Sequence, residues 1–130
     1  MIVVAFERRH RILLGRFIGV FSYDDIEALD AAVKKFLPEN GPVGALIDWS
    51  GIDTIALPPW RLVQRGRAPQ IVPGQQRVMI APPEEPIHDM VRAYADQQRD
   101  YGNVEPIVVH SLEEAYAVFG IADPVFEPVN

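Results

Sequence analysis

Short apolar runs at residues 43–47, 77–81 and 107–109 are each followed by a stretch whose apolar residues recur at helical spacing. Continuous apolar strands alternating with amphipathic helices point to an α/β fold, built on a mostly parallel sheet with both faces covered and right-handed crossovers. Two further apolar stretches, residues 2–6 and 12–20, flank Arg8-Arg9-His10-Arg11 at the start of the chain. An antiparallel hairpin is the simplest connection between them, and it makes the sheet mixed.

Local signals place the helices. Ser22-Tyr-Asp-Asp25 reads as a capping box, and Ile26, Leu29, Val33, Phe36 and Leu37 keep helical spacing until Pro38-Glu-Asn-Gly41. Pro58 and Pro59 suit the start of a short helix, with Trp60, Val63 and the stem of Arg67 sharing one face. Gly66, Pro69, Pro73 and Gly74 are expected to end it. Ile87, Met90, Val91 and Tyr94 mark the inward face of a third helix. Ser111-Leu-Glu-Glu114 starts a fourth, with Leu112, Ala115, Tyr116 and Phe119 as its apolar side before Gly120. The expected order is β-β-α-β-α-β-α-β-α on a five-stranded sheet, a single domain over 1–121. The tail, 122–130, alternates proline with Val125, Phe126 and Val129, and suits a cover over the domain, a contact with a second subunit, or a loose terminus.

The chain has 130 residues, enough to bury one core without staples, and no cysteine, which excludes disulfides, thiolate metal sites and a cysteine nucleophile. No apolar run approaches the ~20 residues of a membrane span, and the first residues lack the pattern of a secretory signal, so cytoplasmic residence without membrane insertion is the expectation. A net charge of −6 disfavours nucleic acid. The basic run 8–11 reads as a solvated turn.

The stretch Ala45–Leu62 carries the most chemistry. An apolar strand runs into Asp48, a polar Ser50-Gly51 turn with Asp53 and Thr54, and then the proline-started helix bearing Trp60, Arg61 and Arg65. Asp48 is expected to bond backbone groups in the turn. Arg61 and Arg65, four residues apart, repel each other unless carboxylates, a small anion or an acidic partner offset them. No catalytic constellation is complete: His110, Ser111 and Asp48 supply only the residue types of a hydrolase relay. His10, His88 and His110 show no close ligand pairing, so neither a metal nor a cofactor is expected.

The element order and the strand-Asp-turn-helix junction, with Asp48, Ser50-Gly51 and Ile52, resemble the STAS superfamily. The likeness is especially to its SpoIIAA-like branch, whose members include anti-anti-sigma factors and domains attached to anion transporters. The terminal Ser111–Tyr116 segment with Phe119 is similar to the last strand-to-helix unit of small bacterial members. The resemblance implies a non-enzymatic interaction module that binds a protein partner or its own copy through residues 50–67. Members that act as phosphorylation switches carry a serine near the position of Pro58, and proline has no hydroxyl, leaving Thr54 and Ser50 as the only nearby candidates for modification. A small carrier of apolar or lipid ligands, lined by Met79, Met90, Trp60, Tyr116 and Phe119, is the rival reading, and a hydrolase using His110 a third.

Overall fold

A computed structural model describes residues 1–70 and 75–129. Its elements run β1 (Ile2–Glu7), β2 (Ile12–Phe21), α1 (Tyr23–Asn40), β3 (Gly44–Ile55), α2 (Pro59–Arg65), β4 (Arg77–Ile80), α3 (Ile87–Asp100), β5 (Ile107–Val109), α4 (Leu112–Phe119) and β6 (Glu127–Pro128). The expected terminators Pro73 and Gly74 lie outside the described residues. The sheet order is β5-β4-β3-β2-β1-β6, so the α/β class, the mixed sheet and the N-terminal hairpin hold.

Among the described residues the sheet has six strands where the sequence suggested five. Residues 127–128 pair antiparallel with Ala5 and Phe6, and the Val129 N–H donates to the Val4 carbonyl at 2.9 Å. Phe126 packs with Tyr116 over the sheet. The tail therefore covers the domain and occupies the otherwise open edge of β1.

Strands β2 to β5 are parallel and advance across the sheet in one direction. Right-handed crossovers that never reverse deposit their helices on the same face. The packing agrees: Ile26 of α1, Leu62 of α2, and Met90 and Val91 of α3 share a core with Phe17, Trp49 and Met79. The opposite face packs against α4 and Phe126, over Ile12, Leu14, Leu46, Val78 and Ile80. Since the order of the parallel strands never reverses, they form no switch-point crevice of the kind that holds ligands in doubly wound sheets.

The helix termini follow their sequence signals with small shifts. The Asp25 carboxylate accepts the Ser22 N–H at 3.0 Å, and the Ser111 hydroxyl accepts the Glu114 N–H at 3.1 Å. Helix α1 continues through Pro38 to Asn40 and ends at Gly41, whose φ of 78° suits glycine. Arg11, from the basic hairpin turn, donates to the Asn40 and Pro42 carbonyls, giving the C-terminus of α1 the cation that its own last turn lacks. Within that basic run, Arg11 and His10 thus have structural partners, His10 bonding Glu7.

Candidate functional site

The polar residues after Ile47 do not form a turn. Strand β3 runs on to Ile55, and Asp48, Ser50, Gly51, Asp53 and Thr54 all lie within it. Its pairing with β4 stops at Asp48↔Ile80, and that of β1 with β2 stops at Ile2↔Phe17. Beyond those points β2 and β3 project as a two-stranded ribbon. Register shifts occur between Arg16 and Ile18 and between Gly19 and Val20, each adding one residue on β3. These bulges let a polar stretch remain extended while Ile52 stays buried and Ser50, Asp53 and Thr54 face outward. Gly51 sits at the first bulge, where a Cβ would lie 2.8 Å from the Phe17 carbonyl oxygen.

Asp48 is a bracket between strands. It is 3% exposed, lies opposite Arg16 in the register, and accepts Arg16 Nε at 3.0 Å. Its second oxygen accepts the Ser50 N–H at 2.9 Å and the Ser50 hydroxyl at 2.6 Å. The expected backbone bond is present, and the acid is held by its neighbours on both strands.

Helix α2 begins where the prolines indicated, with Pro58 at the N-cap and Pro59 at the first helical position. Neither Pro58 nor Pro59 offers a hydroxyl, and Thr54 lies within β3, before the start of α2. The inward face of α2 differs from the expected one. Leu62 is buried and Val63 half-buried, whereas Trp60 is 63% exposed and Arg67 is exposed. Leu62 and Gly66, four apart, face α3, where a Cβ on Gly66 would meet Gln97 Cβ at 2.8 Å; Trp60, two residues before Leu62, points to another side.

The arginines of this helix and of the turn after it find partners within the chain. The Arg61 guanidinium lies over the Tyr23 ring at 3.9 Å, Arg65 bonds Asp30 at 2.8 Å, and Arg67 donates to Gln97 at 2.9 Å. The repulsion between Arg61 and Arg65 is thus offset on two separate partners. Of the residues singled out on α2, Trp60 alone presents a large apolar surface to solvent.

On the three-helix face, α1, α2 and α3 leave an apolar cleft of about 100 Å³ above β3 and β4. Met79 is the only residue of the expected pocket that lines it. Met90 fills the core, Trp60 is exposed, and Tyr116 and Phe119 pack on the opposite face. The walls include Leu29, Ile47, Trp49, Arg65, Arg77 and Tyr94. Arg77 is 8% exposed and donates to the Val104 carbonyl at 2.5 Å. Burial pushes its pKa below the usual arginine value; Tyr94 opposes that shift and the charge of Arg65 reinforces it. A cation opening an otherwise apolar strand, residues 77–81, was the sequence signal for this residue.

The histidines are arranged differently from expectation. His88 and His110, at the start of α3 and the end of β5, have ring centroids 5.3 Å apart, and ligand atoms of Glu85, His88 and Asp89 lie within 4.8 Å of one another. Such tertiary neighbours are invisible to spacing along the chain. The Glu85 carboxylate already accepts the Asp89 N–H at 3.0 Å. The parts of the suggested hydrolase relay are engaged apart from one another: His110 Nδ1 lies 3.1 Å from the Ala81 carbonyl, Ser111 caps α4, and Asp48 holds Arg16 and Ser50.

Fold and site together define a small α/β protein with three helices on one face of a mixed sheet, an exposed tryptophan beside a projecting ribbon, and an apolar cleft. No protein-family model matches the chain, and no curated protein matches it in sequence. Among the described residues, no helix is long and apolar enough to cross a membrane.

Proposed function

We propose that this chain is a non-enzymatic interaction module of the SpoIIAA-like STAS kind. It docks a protein partner, or a second copy of itself, through the rim formed by the ribbon and the start of α2, and it works without a phosphoserine switch. The observation that carries this reading is Trp60, 63% exposed on the first turn of α2. A tryptophan in water leaves a large apolar area uncovered, and such residues anchor interfaces far more often than lysines or glutamates do.

Supporting features surround it. Ala56, Pro58 and Pro59 are exposed next to Trp60, and Val20 is exposed at the same end of the ribbon, paired with Thr54. The side of β3 facing β4 has no strand partner after Asp48 among the described residues, leaving backbone groups that an added strand can pair. Ser50, Asp53 and Thr54 edge this surface with polar groups, as a docking rim requires. The prolines at positions 58 and 59 support a constitutive surface, since the usual place for a regulatory hydroxyl is filled by rings.

The test compares wild-type protein with Trp60→Ala, both as bait in native extract and in sedimentation. The reading expects a protein retained by wild type and lost with Trp60→Ala, or a doubled mass that reverts to monomer in the variant. Identical retained proteins together with identical monomeric masses would overturn it.

A further inference from the structure

Two buried nitrogen donors in the wall of one cleft have no protein acceptor among the described residues. They are Nε1 of Trp49 and Nε of Arg77, and both residues line the cleft between α1, α2 and α3. A buried donor without a partner is destabilising, because it gives up its bond to water and gains none in return. A buried guanidinium without a carboxylate is a larger liability. Arg77 makes no ion pair among the described residues, whereas Arg65, beside it in the cleft, is joined to Asp30 at 2.8 Å. The charged side chains lining the cleft are therefore two arginines and one aspartate, an excess of one positive charge on a protein whose net charge is −6.

The remaining wall is mostly apolar, with Leu29, Ile47 and Met79 among its residues, and Gln70 and Tyr94 add polar groups to it. An inorganic anion would meet the cation but leave that wall uncovered. A neutral hydrocarbon would cover the wall but leave the cation uncompensated. We propose that the cleft binds a small organic monocarboxylate, its carboxylate held by Arg77 and its short apolar body packed along the sheet. At about 100 Å³ the cleft admits a short acyl or single-ring body and excludes a whole diacyl lipid. The occupant is distinct from the docking partner proposed for the Trp60 rim, and neither proposal depends on the other.

Hexanoate and hexan-1-ol are the matched probes, since they share an apolar body and differ in the head group. The chain holds two tryptophans, so Trp60→Phe leaves Trp49 as the sole indole reporter inside the cleft. In that background hexanoate should shift the emission of Trp49 and bind one to one by calorimetry, at least tenfold more tightly than hexanol. Arg77→Gln should abolish this preference, and Arg77→Lys, which keeps the charge, should restore part of it. Leu29→Trp, which fills the cleft, should block both probes. Equal affinity for the two probes, or no hexanoate binding at millimolar concentration, would overturn the proposal without recourse to any Arg77 variant. So would a folded Arg77→Gln protein that binds hexanoate as the parent does.

Discussion

The carboxylate of Asp48 and the guanidinium of Arg16 meet at 3.0 Å across β2 and β3, at the last point where β3 still pairs with β4. Beyond it β3 keeps β2 alone as a strand partner among the described residues, and β2 loses β1 after Phe17, where Met1 still bonds Ile18. The pair fixes their register at the first bulge, and Ser50 completes it from the same strand. The projecting ribbon, and with it the setting of Trp60, depends on this bracket.

Asp48→Ala should destabilise the protein by about 1–3 kcal/mol, because it strips acceptors from the Ser50 N–H and from Arg16 in a largely buried setting. Chemical denaturation measures it. Arg16→Ala should cost less in the Asp48→Ala background than in wild type, since the pair is coupled. Additive losses would show that the bracket does not act as a unit.

The faces of α2 are separable by two substitutions. Trp60→Ala should change stability by no more than about 0.5 kcal/mol, because the ring is exposed. Leu62→Ala, at a fully buried position, should cost about 2–5 kcal/mol. Thermal melts of the two variants decide the matter, and a larger loss for Trp60→Ala would mean that α2 is rotated.

Gly66→Ala should lower stability by about 1–3 kcal/mol through overpacking. Its backbone, at φ −62°, suits alanine well, but the added methyl would sit 2.9 Å from the Tyr94 carbonyl oxygen and 2.8 Å from Gln97 Cβ. Helices α2 and α3 must separate to admit it. Unchanged stability would contradict so close an approach of the two helices.

Glu7 gives a pH dependence. Its burial alone would raise its pKa, but bonds from the His10 N–H and ring and from the Val125 N–H outweigh burial, and the net pKa falls below the ordinary 4.5. A depressed folded-state pKa stabilises the fold fully above the unfolded value, and that stabilisation is lost as pH falls through the folded pKa. Wild type should therefore lose stability more steeply than Glu7→Gln on acidification below about pH 4.5. Parallel curves for the two proteins would contradict this role.

Much of the fold was legible in the sequence because its signals are local. Continuous apolar runs, the Ser22 and Ser111 caps and the paired prolines each announce an element within a few residues. What escaped depends on partners distant in the chain. Residues 48–54 read as a turn because four of them are polar or acidic, yet two bulges against β2 keep them extended. The tail joins the sheet only because Glu127 finds Phe6. The cleft was misassigned because apolar residue types do not reveal which face of the sheet they occupy: Tyr116 and Phe119 belong to α4, on the opposite face from Trp49 and Arg77. The charges on Arg61 and Arg65 suggested a partner, but Tyr23 and Asp30 meet them from more than 30 residues away.

Photo-crosslinking from position 60 reads out whether the rim around Trp60 docks a protein. A photoreactive phenylalanine analogue at Trp60 keeps the aromatic bulk, and one at the exposed Lys35 of α1 serves as control. Position 60 should give a discrete protein adduct in native extract, either with a partner or with a second copy of the chain, and position 35 none of that mass. Adducts of the same mass from both positions, or no protein adduct from position 60, would contradict it.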